Sequence, residues 1–275
     1  MSANITVMIY ITPTRWKEYR LIDSGDFEKL EQFGNYITRR PEPQAVWNKS
    51  LPESEWQKLS TVDFVARSSN NGDWIKHKNC LDTWQIKYDA LNLTCNLKLT
   101  AFKHVGLFPE QAVNWDYIYS LCKANSDLRV LNLFGYTGMA SVAARAGGAT
   151  VTHLDSVKQV VSWTRQNMES SGLNDIRWIV EDARKFVAKE AKRGNTYNGI
   201  IMDPPAFGRG TNGEDWKLER DLNALLKEVE QILDKNRYFF ILNTYSLGFS
   251  AFILENLVNQ IFPKHTAPKE FGELY

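Results

Sequence analysis

No part of the chain narrows its possible folds more than Val130-Leu131-Asn132-Leu133-Phe134-Gly135-Tyr136-Thr137-Gly138. Apart from Asn132 the run to Phe134 is apolar, the pattern of a central parallel strand covered on both faces. Gly135 and Gly138 bracket a turn, where a missing Cβ permits unusual angles and lets a ligand approach the backbone. Met139 to Ala146 has helical composition and ends at Gly147-Gly148, a C-cap pair. Thr150 to Leu154 reads as a second strand, with Asp155 at its end, 20 residues after Gly135. An open α/β sheet places the acid that binds a ribose hydroxyl at about that distance. A lone G-x-x-G also suits a plain strand-to-helix connection. The second strand and its terminal acid are what favour a ligand site.

The dinucleotide fingerprint needs G-x-G-x-x-G, with amides facing a pyrophosphate. Here position 137 is Thr and no third glycine opens the helix. A nucleoside without a diphosphate fits better, and S-adenosylmethionine is such a ligand. Two more strands end in acids. Ile176 to Val180 stops at Glu181-Asp182-Ala183, where Asp182 suits either an adenine amino group or a helix N-cap. Asn198 to Met202 stops at Asp203-Pro204-Pro205-Ala206-Phe207-Gly208-Arg209-Gly210. The prolines stiffen that exit, Asp203 is an acceptor on it, and Phe207 offers a ring for stacking a planar substrate. Ligands of open α/β sheets sit beyond the carboxyl ends of strands, where Asp155, Asp182 and Asp203 all fall. Gly208 to Gly213 reads as a mobile substrate loop carrying Arg209. The apolar stripe Leu218, Leu222, Leu225, Leu226, Val229, Ile232 and Leu233 predicts a helix over 214–234, with Lys217 facing away from it. A fifth strand spans 238–242, a helix about 250–261, and 271–275 opens a sixth strand.

The first hundred residues differ in texture. Five of the nine tryptophans precede residue 85, which suggests a small β-rich domain filling a thin core with aromatics. Trp84, Ile86 and Tyr88, then Leu91 through Ala101, alternate with polar residues, so 83–102 reads as a hairpin with one wet face. Cys95 lies on its apolar side as a small buried hydrophobe. Domains are therefore expected at 1–103 and 104–275. Residues 104–111, carrying His104, Phe108, Glu110 and Gln111, suit either one wall of the ligand site or a plain connector.

No run of 18 apolar residues is present, and the opening residues lack the basic and apolar regions of a signal peptide, so a cytoplasmic protein without membrane contact is expected. Cys80, Cys95 and Cys122 are scattered, as free thiols would be. Lys and Arg number 14 against 13 Asp and Glu over residues 1–115, and 19 against 19 beyond. A nucleic-acid partner would need a local basic cluster. No metal site and no signal for oligomeric state stand out.

Together, residues 104–111, 131–138, Leu154-Asp155-Ser156, Glu181-Asp182-Ala183 and 203–210 resemble class I S-adenosylmethionine-dependent methyltransferases, and within them the branch of large-subunit ribosomal RNA methyltransferases. The resemblance implies a doubly wound, mostly parallel Rossmann-like sheet after the small domain. It implies Phe108 and Gln111 near the methionine end of the cofactor, and Phe134, Gly135, Thr137 and Gly138 around its amino-acid moiety. Asp155 and Ser156 would hold the ribose, and Asp182 and Ala183 the adenine. Asp203, Pro204, Pro205 and Phe207 would bracket the methyl sulfonium and target, with Arg209 and Lys217 toward substrate. Members that methylate C5 of a pyrimidine need a thiolate to attack C6. Neither 203–207 nor Asn243-Thr244-Tyr245-Ser246 has a cysteine, so the expected reaction is direct attack by a nitrogen or oxygen of an RNA base. The fold usually closes with a sixth and an antiparallel seventh strand, of which the sequence carries part. A methyltransferase acting on a protein or small molecule, and a nucleotide-binding module without catalysis, are the alternatives.

Overall fold

The computed structural model describes residues 9–68, 71–210, 213–245, 248–263 and 268–274. It divides into two compact units, Thr14–Pro109 and a second made of Met1–Pro13 with Glu110–Tyr275. In chain order β1 (Ile9–Ile11) is followed by the elements of the first unit: β2 (Tyr19–Gly25), β3 (Glu28–Phe33), β4 (Tyr36–Pro41), α1 (Glu53–Leu59), β5 (Val62–Ala66), β6 (Gly72–Lys76), β7 (Thr83–Tyr88) and β8 (Leu93–Lys98). Strands β2 to β6 form one sheet in sequence order, antiparallel except where β4 meets β5. As the tryptophan count predicts, aromatics fill the core: Trp56, Phe33 and Tyr88 are fully buried. The Trp56 indole donates to Asp23, whose carboxylate also accepts from the Ser50 and Leu51 amides. Strands β7 and β8 pair as a hairpin that buries Ile86, Tyr88, Leu93, Cys95 and Leu97 on one side. The ladder ends at Lys98, so the expected continuation through Ala101 does not form. The Leu99 amide bonds instead to Asp82 O and the Gly72 amide to Ala101 O.

The second unit continues with α2 (Ala112–Ala124), β9 (Arg129–Leu133), α3 (Met139–Ala146), β10 (Thr150–Asp155), α4 (Lys158–Ser170), β11 (Ile176–Val180), α5 (Ala183–Arg193), β12 (Gly199–Met202), β13 (Phe207–Arg209), β14 (Asp215–Lys217), α6 (Leu218–Ile232), β15 (Phe239–Leu242), α7 (Ala251–Ile261) and β16 (Gly272–Leu274). Its central sheet runs β11-β10-β9-β12-β15, all parallel. Strand order reverses at β9 and β12, the place where open α/β sheets hold ligands. Leu131, Leu133, Leu154, Ile200 and Met202 form one core with Phe186 and Val187 of α5 and Leu222, Leu226 and Val229 of α6. Each such side chain contributes about 1.5–3 kcal/mol by leaving water. The intervening residues face α3 and α4, and among them Asn132 and His153 are buried polar groups.

The helix predicted over 214–234 begins four residues late, at Leu218. Asp215–Lys217 is instead a strand that pairs antiparallel with β13. Two bonds from outside the helix outweigh local propensity: the Trp216 indole donates to Pro205 O (2.7 Å) and the Leu218 amide to Ala206 O (3.0 Å). The loop expected over 208–213 is, in its described residues, the far part of this hairpin; residues 211 and 212 lie outside the described residues. β16 does not extend the central sheet. It pairs parallel with β1.

Candidate active site

The turn after β9 takes an alternating backbone. Phe134, Tyr136 and Gly138 have φ of 56°, 49° and 74°. Left-handed geometry costs a non-glycine residue about 1–2 kcal/mol and persists only when its surroundings enforce it. Gly135 is required for proximity: a Cβ there would lie 2.3 Å from His153 Cε1. At Gly138 a Cβ would lie 1.9 Å from Thr164 Cγ2. The Tyr136 amide donates to Asp155 Oδ2 (3.0 Å), and Thr164 Oγ1 and Asn167 Nδ2 donate to Tyr136 O (2.8 Å) and Thr137 O (2.7 Å). Asn132, Ser141 and His153 complete a buried polar row behind the turn. The sequence reading missed Ser141, His153, Thr164 and Asn167. The available signal was His153 within β10, level with Asn132 in the neighbouring strand.

Register sets the rim. Leu133 lies level with Leu154 and with Met202, and Asp155 with Val180, so Asp155, Glu181-Asp182 and Asp203 follow one edge of the sheet. Asp155 Oδ1 accepts from the Val157 amide (2.9 Å). Burial raises the Asp155 carboxyl above the ordinary range, against the pull of the Val157, Tyr136 and Ser156 amides. Asp182 is the N-cap of α5: Oδ1 accepts from the Arg184 and Lys185 amides, and Oδ2 from the Arg184 guanidinium (3.0 Å). Ala183 opens α5 and is buried. The Asp203 carboxyl accepts no hydrogen bond from a described residue. Burial, and then the negative charge of Glu110, push it up to about 7.

Asn243 follows β15, and its amide donates to Met202 O (2.9 Å), which brings it beside Asp203. Gln111 Oε1 accepts from Asn114 Nδ2 (2.8 Å) and Asn243 Nδ2 (3.2 Å), tying the start of α2 to that strand end. The sequence reading marked the Asn243 segment only for its lack of a cysteine and did not single out Asn114. Phe207, Arg209 and Lys217 share one hairpin, Phe207 directly opposite Lys217, and the Phe207 ring is 70% exposed. Ser156 Oγ donates to Arg209 O (3.4 Å), Lys185 pairs with Glu214, and the rings of Phe134 and Trp216 lie 5.1 Å apart, so the hairpin runs along the rim. Pro204 is buried and Pro205 exposed at its base. Phe108 belongs to the first unit, its ring 5.1 Å from that of His104. A cavity of about 300 Å³ lined by Leu222, Phe249, Ile253 and Leu257 lies between α6 and α7. Among the described residues no cluster of His, Cys, Asp and Glu could hold a metal ion, and no helix is long and apolar enough to cross a membrane.

A parallel sheet with strand-end acids and a tight glycine turn at its reversal point is the frame of an adenosine-binding α/β enzyme. Residues 46–266 match the family model of S-adenosylmethionine-dependent methyltransferases, and the chain belongs to that family. A crystal structure of an S-adenosylmethionine-dependent methyltransferase from Agrobacterium tumefaciens superposes with TM-score 0.88 at 39% identity, over 93% of this chain and 82% of its own. A methyltransferase structure complexed with S-adenosylhomocysteine gives TM-score 0.73 over 90% of this chain and 67% of its own; at 18% identity that likeness is one of fold. A ribosomal RNA large subunit methyltransferase K/L from Shewanella frigidimarina is 32% identical over 144 residues, 51% of this chain and 20% of that protein. The chain thus spans about a fifth of the length of the curated relatives it matches.

Proposed function

We propose that this methyltransferase acts on a base of RNA, ribosomal RNA in the first instance, by direct in-line attack with no cysteine adduct, and that it works in the cytoplasm. The observation that carries the substrate reading is the hairpin at the rim, which offers the exposed Phe207 ring and Lys217 beside Asp203. An aromatic face next to a cation suits an unstacked base and its phosphate. The similarity to ribosomal RNA methyltransferases supports the same reading.

The residues fit the cofactor by their donor set. Asp155 accepts the Tyr136 amide at Oδ2 and the Val157 amide at Oδ1, and its carboxylate keeps lone-pair capacity for the ribose. Phe134, Gly135, Thr137 and Gly138 line the amino-acid end, with Gln111 toward the methionine. Ser156 adjoins the ribose, and Asp182 with Ala183 the adenine. When bound, S-adenosylmethionine supplies an already activated methyl group. The protein's part is then alignment of acceptor, methyl and sulfur. Asp203, held between Met202 and the stiff Pro204-Pro205 exit, accepts a hydrogen bond from the target, and Phe207 and Arg209 orient it. All three cysteines are buried, and burial raises each thiol, Cys122 to about 12. A thiolate attack on C6 has no candidate here.

One observation favours a protein or small-molecule acceptor instead: the net charge of +1, with neither half of the chain basic. Incubation with labelled S-adenosylmethionine and either unmodified ribosomal RNA or cell protein separates the two. The expected label is in RNA. Label confined to protein would reject the assignment.

A further inference from the structure

Behind the glycine turn, four side chains from four elements are linked by hydrogen bonds, and all are almost wholly buried: Asn132 of β9, Ser141 of α3, His153 of β10 and Thr164 of α4. Asn132 Nδ2 donates to Ser141 Oγ (2.9 Å), Ser141 Oγ meets His153 Nδ1 (3.0 Å), and His153 Nε2 meets Thr164 Oγ1 (3.2 Å). Thr164 Oγ1 reaches Tyr136 O at 2.8 Å and Val160 O at 3.0 Å.

The tautomer of His153 follows from counting protons. Ser141 Oγ already accepts from Asn132, and its own proton has no acceptor but His153 Nδ1 among the described residues. A proton on Nδ1 would leave two donors facing each other in a dry site, a cost of the order of a lost buried hydrogen bond. The proton therefore sits on Nε2 and points at Thr164 Oγ1. That oxygen, now an acceptor from histidine, must give its own proton to a carbonyl, and Tyr136 O is the nearer one. Every link then donates in the same sense, Asn132 to Ser141 to His153 to Thr164 to Tyr136. Burial drives the His153 pKa down to about 3, in keeping with a neutral ring.

We propose that His153, as its Nε2–H tautomer, is a positioning residue for methyl transfer: it aims the Thr164 hydroxyl at the Tyr136 carbonyl and so fixes the turn on which the cofactor's amino-acid end rests. The inference depends on the reading that this turn holds the cofactor. Tyr136 is the pivot because both of its peptide flanks are gripped, the amide by Asp155 and the carbonyl by Thr164, while its φ of 49° is unfavourable by itself. A row of this kind also explains the close glycines. Gly135 leaves room for the imidazole and Gly138 for the Thr164 methyl.

The test has two arms. In the full chain with nitrogen-15-labelled histidine, His153→Gln assigns the His153 signal, and the pattern expected at pH 7 is a protonated Nε2 and an unprotonated Nδ1. A protonated Nδ1 would overturn the proposal. Calorimetry then gives S-adenosylmethionine affinity for Thr164→Val, Thr164→Ser and, as a reference for the site, Asp155→Ala. Thr164→Val is near-isosteric without the hydroxyl, so affinity is expected to fall about tenfold, the scale of one buried hydrogen bond. Thr164→Ser restores the hydroxyl and is expected to bind within about twofold of the native chain, since the bond is kept. Thermal melts of both variants separate this pattern from general destabilisation, which would weaken Ser and Val alike. Weak binding by Asp155→Ala with Thr164→Val unaffected overturns the positioning role. No effect of either substitution overturns the placement of the cofactor at this turn, and the proposal with it.

Discussion

Asp203 and His153 both sit where burial strongly disturbs their protons, with opposite consequences. The Asp203 carboxyl is raised from its ordinary 3.8 to about 7, so the folded chain holds a proton there that the unfolded chain has released. Its contribution to stability is present below pH 4 and is lost as pH rises toward 7. His153 is lowered from 6.5 to about 3, so the unfolded chain binds the extra proton. Stability from that site is present above pH 6.5 and declines as pH falls toward 3. Denaturant titrations at several pH values should therefore show Asp203→Asn more stable than the native chain at pH 8, and equal to it near pH 4. An Asp203→Asn chain less stable at pH 8 would refute the raised carboxyl. On the proposed role of Asp203 as acceptor for the target, the ionised form is the working one, so kcat should climb through pH 7, and Asp203→Asn should flatten that climb. The three acids could be read from the sequence because a strand that stops at an acid looks the same in any context. The Asn132–Thr164 row could not, since its members meet only after α3 and α4 fold onto the same face of the sheet.

At the scale of elements, two short structures carry the argument. Asp182 caps α5, and replacing an N-cap aspartate with alanine costs about 1 kcal/mol. Asp182→Ala should lower stability by about that amount, while Asp182→Asn keeps a capping oxygen and should lose less. Calorimetric binding by the two variants then separates cap from cofactor contact: equal loss of S-adenosylmethionine affinity in both identifies the charged carboxylate as the part the adenine end uses. The second is the β13–β14 hairpin. Phe207→Ala should reduce kcat/KM for RNA while leaving cofactor affinity unchanged, and a matching loss of cofactor affinity would remove Phe207 from the substrate role. The hairpin also marks where sequence periodicity misleads. Asp215-Trp216-Lys217 continues smoothly into the apolar stripe of α6, and bonds from outside it, Trp216 to Pro205 O and Leu218 to Ala206 O, tell strand from helix.

Across the whole molecule, the parallel sheet was legible because its strands are short runs with apolar residues at their centres, each stopped by a turn or an acid. Pairings distant in sequence were not. The β1–β16 ladder joins residues 9–11 to 272–274, and no local pattern announces it. The β7–β8 hairpin shows the reverse: alternation located its buried face residue by residue, whereas its end at Lys98 depends on where Asp82 and Gly72 take up the following backbone. The central claim is that one rim of the second unit grips the adenosine at Asp155 and aims its methyl at a base beside Asp203. Paired binding and turnover measurements on Asp155→Ala and Asp203→Ala test it most directly. Asp155→Ala is expected to bind S-adenosylmethionine at least about tenfold more weakly, one to two hydrogen bonds' worth. Asp203→Ala should bind it almost normally and turn over slowly. Equal loss of affinity in both variants, or none in Asp155→Ala, would contradict it.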